Sequence, residues 1–265
     1  MKIYEIFDEE NNMSVGTLIY YVKSRTFDIE LAEGLDEWTA PLLFAGLVKE
    51  GIVSIPRDLS ATWVRERIIP AGRQNISSIL NNCRLKEYDE MKLLEASQGR
   101  CSQDGLVIKR QSELPDYVKE RMAKNLCDCF LQDKNTIIVI FNDDTVKMID
   151  LKDLLNISDM DKVIKNDKLK ASVKLTPGGF AITFNDSIDV SARVLYEKGI
   201  RLPITKQTFI AFARNNILDT TESCELLGCS RQNLSYLVNE QIIDTVKSTG
   251  KSNLYFKGEV LKGLW

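Results

Sequence analysis

The stretch "ESCELLGCSRQNLSYLVNEQII", Glu222 to Ile243, decides how the C-terminal part of the chain is read. Thr220 or Thr221 can cap a helix running through Cys224, Leu226 and Leu227, and Glu222 in its first turn complements the helix dipole. Gly228 supplies the stop. Ser230 is then a second N-cap, and Leu234, Leu237, Val238 and Gln241 recur on one face of a second helix, so three apolar side chains turn towards Leu226 and Leu227. The spacing predicts two short helices joined by a tight turn with glycine at its head, the helix-turn-helix layout.

Gln232, Ser235, Tyr236 and Asn239 fall opposite the leucine face, Arg231 sits on the flank, and Ser230 and Asn233 complete the predicted DNA-contacting set on this helix. These residue types serve DNA grooves. Amides pair with adenine edges, arginine with guanine or phosphate, and hydroxyl groups with phosphate oxygens. No carboxylate interrupts the exposed face before Glu240. The next segment, "IIDTVKSTGKSNLYF", reads as two strands around a turn rich in Lys, Ser, Thr and Gly, with Leu254 and Phe256 alternating against Tyr255. Lys247 and Lys251 stand at its tip, and Gly250 permits the tight turn.

Residues 217–262 as a whole resemble the winged helix-turn-helix of excisionase and MerR-type DNA-binding modules. In those modules a segment like "TTESCELLGCSRQNLSYLVNEQII" leads into a hairpin wing and a last short helix, here "KGEVLKGLW". The resemblance implies a double-stranded DNA partner. From Ile217 to Lys257, however, four basic residues face five acidic ones, and few phosphate contacts mean weak binding at physiological salt. Either a homodimer doubles the contact set, each copy reading one half-site, or a second surface assists. "GRQNISSILNN", Gly72 to Asn82, repeats the texture of Ser230–Glu240, and Arg57, Arg65, Arg67, Arg73, Gln74 and Asn75 form a candidate second DNA or partner surface. Any capped amphipathic helix can reach the same pattern by chance.

Upstream, "GTLIYYV" and "RTFDIEL" alternate as strands joined through "KSR", with Phe27, Ile29 and Leu31 on one face and polar residues between them. Four helices are expected in "DEWTAPLLFAGLVKEGI", "ATWVRERIIPAG", "RQNISSILNN" and "EYDEMKLLEASQG". Pro115 opens "PDYVKERMAKNLCDCFLQD", read as one helix with Val118, Met122, Leu126, Cys129 and Phe130 on one side. From Asn135 the period changes to two, and "TIIVIFNDDTVKMIDL" and "ASVKLTPGGFAITFND" are strand pairs around Asn-Asp-Asp and Pro-Gly-Gly turns. Together with "VSARVLYEKG", the segment from Asn135 to Gly199 resembles a compact bacterial domain family of unknown function, some of whose members are proposed toxin-antitoxin partners. Where that family has glycine in the first turn, this chain has Asp144.

Composition removes several alternatives. A chain of 265 residues with 44% hydrophobic and 28% charged residues is expected to fold into several packed modules. It has no histidine, the usual proton shuttle of serine and cysteine triads, and neither a phosphate-cradling glycine loop nor GxGxxG. Six scattered cysteines read as buried free thiols without a zinc pattern, and Asn142, Asp143, Asp144 and Asp186 as hairpin-turn residues without a metal. Trp38, Trp63 and Trp265 read as core or interface anchors. The net charge of −3 splits unevenly, because residues from Arg201 onward carry eight Lys/Arg against six Asp/Glu. No apolar run is long enough to span a membrane, and the acidic start is unlike a signal peptide, so a cytoplasmic protein is expected.

The expected architecture is α+β and multidomain: an N-terminal α+β unit over 1–110, a linking helix over 111–133, a small antiparallel β domain over 134–200 and a C-terminal winged helix-turn-helix over 201–265. The expected function is that of a sequence-specific double-stranded DNA-binding protein, a bacterial or phage transcription regulator that is dimeric, non-enzymatic and free of cofactor. The alternative is an antitoxin or inhibitor-type protein whose N-terminal domain binds a protein target while the C-terminal module represses its own gene. An enzyme with its site in the N-terminal unit is the third reading.

Overall fold

The alternating residues near the N-terminus form strands β1 (Lys2–Asp8), β2 (Met13–Tyr21) and β3 (Thr26–Leu31) in the computed structural model, which describes residues 1–250 and 252–263. The β2–β3 hairpin is the one expected, with Tyr21 opposite Thr26. Arg25 takes a left-handed conformation and closes the turn by donating its amide to the Tyr21 carbonyl at 2.8 Å. After a short 3-10 turn come α1 (Ala45–Lys49), β4 (Ser54–Ile55), α2 (Arg57–Glu66), α3 (Ile76–Asn82), α4 (Glu90–Ser97) and β5 (Leu106–Gln111). The sheet order is β4-β3-β2-β1-β5. One face, carrying Tyr4, Ile6, Leu18, Tyr20, Phe27, Ile29 and Leu31, packs against Trp63 and Val64 of α2 and Met91 and Leu94 of α4. Gly16 is needed in β2, since a Cβ there would lie 2.6 Å from the Glu30 carbonyl oxygen.

The other face is buried too, although β3 presents Asp28 and Glu30 on it. Both carboxylates and Thr17 of β2 are buried, and α5 (Asp116–Met122) brings polar partners to Glu30 and Thr17. Tyr117 hydrogen-bonds Thr17 at 2.8 Å, and Arg121 donates to Glu30 at 3.0 Å. The predicted linking helix stops at Met122, and Leu126–Leu131 is instead strand β6, paired antiparallel with β7 (Thr136–Phe141). Leu126, Cys129 and Phe130 fit a helical i, i+3, i+4 repeat, but the apolar strand "TIIVIF" beside them supplies ladder partners, and its own backbone groups would go unpaired beside a helix. A register shift between Leu126 and Asp128 then turns Cys129 and Leu131 towards the core while Phe130 is 40% exposed.

The chain continues through β8 (Val146–Asp150), α6 (Met160–Lys165), α7 (Asp167–Ala171), β9 (Lys174–Leu175), β10 (Ala181–Phe184), β11 (Ile188–Ser191), α8 (Ala192–Lys198) and β12 (Ile200–Arg201). Phe141, Leu151, Met160, Ile182, Phe184, Val190 and Leu195 form a second core. Asp144 takes the left-handed conformation in the Asn-Asp-Asp turn, doing what glycine does in such turns, and Asn185 and Asp186 do so in theirs. At Gly179, with φ near +70°, a Cβ would sit 1.9 Å from the Leu126 carbonyl oxygen, so this turn lies directly on β6.

The architecture is therefore mixed α/β with several separate sheets. Two compact units divide it: Met1–Asp143 with Lys147–Ile200, holding both cores above, and Asp144–Val146 with the residues from Arg201 onward. The second unit contains α9 (Lys206–Asn216), β13 (Ile217–Asp219), α10 (Thr220–Leu227), α11 (Arg231–Asn239), β14 (Thr245–Thr249), β15 (Ser252–Phe256) and α12 (Lys257–Lys262). Among the described residues no helix is long and apolar enough to cross a membrane.

One anchor expectation changes. Trp63 is buried as expected, but Trp38 is 86% exposed in the loop after β3, where the Asp36 carboxylate organises a local turn by accepting from the Trp38 and Thr39 amides. Trp265 lies outside the described residues. The cysteines are free, but Cys83 is exposed and the other five only half-buried; of these Cys129, Cys224 and Cys229 sit at the margins of the cores.

Candidate nucleic-acid interface

Local hydrogen bonding fixes α10 and α11. The N-cap of α10 is Asp219, not Thr220 or Thr221: its carboxylate accepts from the Thr221 and Glu222 amides at 2.6 and 2.8 Å, and Glu222 returns the bond from the Asp219 amide at 2.9 Å. A carboxylate serves two amide donors at once, so the cap falls one residue earlier than a hydroxyl reading places it. Gly228 ends the helix in the left-handed region, and Ser230 caps α11 by accepting from the Asn233 amide at 3.3 Å. Leu234, Ile243, Tyr255 and Val260 form the core of this unit, with Leu226, Leu227, Leu237 and Val238 packed around it.

With Leu234 turned inward, Ser230, Arg231, Gln232, Asn233, Ser235, Tyr236 and Asn239 are all exposed. Helix geometry thus gathers Arg231, Gln232, Ser235, Tyr236 and Asn239 on one exposed ridge without a carboxylate, with Asn233 and the cap Ser230 lying off it. Arg231 also donates to the Thr221 hydroxyl at 3.2 Å, tying the start of α11 to α10. The exposed N-terminus of α11 adds its own partial positive charge beside that guanidinium.

The sheet next to the helices has the order β13-β15-β14. β14 and β15 form the predicted hairpin, with Thr249 opposite Ser252, and the Thr249 hydroxyl donates to the Ser252 carbonyl at 2.8 Å. Tyr255 is driven fully into the core while Leu254 and Phe256, alternating against it as expected, are half-buried. Lys247 is exposed on β14; Lys251 lies outside the described residues.

The second set of residues is arranged differently. Arg57 pairs with Asp189 at 3.0 Å and Arg65 with Glu90 at 2.9 Å. Arg67 is buried: it stacks on Trp63, with 4.1 Å from guanidinium to ring centre, and donates to Asp104 at 2.9 Å. These three guanidiniums are occupied by carboxylates, while Arg73, Gln74 and Asn75 are exposed just before α3. The sequence reading did not pick out Phe209, Ile210 and Phe212 of α9, which are each at least 40% exposed. Their clustering in "TFIAF" is the signal that marks them. Comparison with protein-family models, with curated proteins and with solved structures gives no match.

Proposed function

We propose that the segment from Arg201 onward is a winged helix-turn-helix module, that α11 enters the DNA major groove with the β14–β15 hairpin as its wing, and that the chain is a sequence-specific double-stranded DNA-binding protein acting as a bacterial or phage transcription regulator. The observation carrying this reading is the outer face of α11, where Arg231, Gln232, Ser235, Tyr236 and Asn239 are exposed and the sequence from Arg231 to Asn239 contains no Asp or Glu. A solvated helix without a polyanionic partner gains nothing by omitting carboxylates. A helix approaching phosphates avoids repulsion by doing so.

One copy brings few cations, so the proposed binding form is a homodimer on a two-fold symmetric site, its reading helices roughly 34 Å apart. Selection of duplexes from a random pool tests the reading: enrichment of one inverted repeat supports it, and an unenriched pool opposes it.

The protein-interaction reading also has an observation in its favour. Trp38 and Leu42, 86% and 94% exposed, stand out from the loop between β3 and α1, and exposed tryptophan is a residue type that anchors protein interfaces. Under that reading a stoichiometric protein partner co-purifies with the chain and is lost on Trp38→Ala.

A further inference from the structure

The turn between α10 and α11 faces two thiols towards each other. Gly228, at φ near +63°, ends α10 with two reversed hydrogen bonds: its own amide donates to the Glu225 carbonyl at 3.2 Å, and the Cys229 amide donates to the Cys224 carbonyl at 3.0 Å. In this type of helix stop the residues at the positions of Cys224 and Cys229 commonly make an apolar contact across the turn. Here both are cysteine. The 3.0 Å bond plus the covalent lengths on either side hold their Cα atoms within about 7 Å, the outer limit for a disulfide. Both side chains pack against the same core of Leu234, Ile243, Tyr255 and Val260, and both are half-buried. Burial pushes the Cys224 thiol above its ordinary pKa; the charge of Cys229 and a hydrogen bond with it push the same way, against Arg231. The two sulfurs are therefore in each other's range.

We propose that Cys224 and Cys229 are an oxidisable dithiol that closes to an intramolecular disulfide in the turn between α10 and α11. With a hydroperoxide as oxidant, the Cys229 thiolate attacks a peroxide oxygen, giving a sulfenic acid and a hydroxide that leaves as water after taking up a proton. The Cys224 sulfur then attacks the sulfenic sulfur, and the departing hydroxide takes the Cys224 proton as a second water. Two thiols and one hydrogen peroxide become one disulfide and two waters; sulfur is oxidised and the O–O bond reduced. The bond pins the residue just before Ser230, the cap of α11, and so fixes where α11 begins. Cys129, whose thiol burial pushes up to about 11, is a poor competitor for the oxidant.

Trypsin cuts after Arg214 and Arg231, so a single peptide, 215–231, carries Cys224 and Cys229 and no other cysteine. The full chain is treated with equimolar hydrogen peroxide, alkylated with iodoacetamide and digested. The expected peptide has lost two hydrogens and gained no alkyl group, and dithiothreitol before alkylation restores two alkylation sites. In Cys229→Ser the loss of two hydrogens disappears. Double alkylation of the wild-type peptide after oxidation, a sulfinic acid in it, or its cross-linking to another peptide would overturn the proposal, whether or not the variant folds.

Discussion

Replacing Asp28 by asparagine is predicted to reduce the fall of stability with pH between pH 5 and 8. Asp28 is 5% exposed on β3, next to Glu30 at 1%. Burial raises its carboxyl to about 7; the Glu30 charge adds to this and Arg57 opposes it. Because the folded pKa lies above the unfolded value, the folded state binds the proton more tightly, so stability falls as pH rises from about 4 towards 7 and levels off above. A difference of about three units corresponds to about 4 kcal/mol lost on going from acid to pH 8. The carboxylates of Asp8, Glu95 and Asp104 are shifted the other way by hydrogen bonds and cations, so their contribution is lost only in more acidic solution. Asparagine keeps the shape and carries no charge. Urea unfolding followed through buried Trp63 is expected to show the wild type less stable at pH 8 than at pH 5 by about 2–3 kcal/mol from Asp28, and the variant with a shallower fall left by Glu30, whose carboxyl burial also raises. Parallel profiles for the two proteins would refute the reasoning.

Three further outcomes rest on the packing. Asp219→Ala removes the carboxylate half of the capping box, leaving the bond from the residue-219 amide to Glu222, and is expected to cost about 1 kcal/mol, read as faster hydrogen exchange at the Thr221 and Glu222 amides. Gly179→Ala forces a Cβ against the Leu126 carbonyl at positive φ and is expected to cost about 3 kcal/mol or more, seen as a lowered melting temperature. Trp63→Ala is expected to cost about 3–5 kcal/mol and Trp38→Ala less than about 0.5, a contrast that denaturant titration measures directly.

Local signals were legible where local chemistry decides. The β2–β3 hairpin, the stop at Gly228 and the cap at Ser230 follow from alternation, a left-handed glycine and a hydroxyl before a helix, each settled within a few residues. Strand β6 was not legible as a strand, because its ladder partner decides it and that partner comes after a turn. The polar partners of buried Glu30 and Thr17 are Arg121 and Tyr117, about ninety to a hundred residues away in sequence. Likewise, the arginines at 57, 65 and 67 look like a basic patch in one dimension, and only the fold brings Asp189, Glu90 and Asp104 against them. The α11 ridge was legible because a single helix wheel contains all of it.

The central claim is that this ridge reads DNA, and affinity for a selected duplex tests it most directly in Arg231→Ala and Gln232→Ala of the full chain, with folding checked by circular dichroism. Gln232→Ala is predicted to lose about 1–3 kcal/mol on the selected site and to relax preference at one base pair; Arg231→Ala is predicted to weaken binding and lower its salt dependence by about one phosphate contact. Unchanged affinity and unchanged sequence preference in both folded variants would contradict the account.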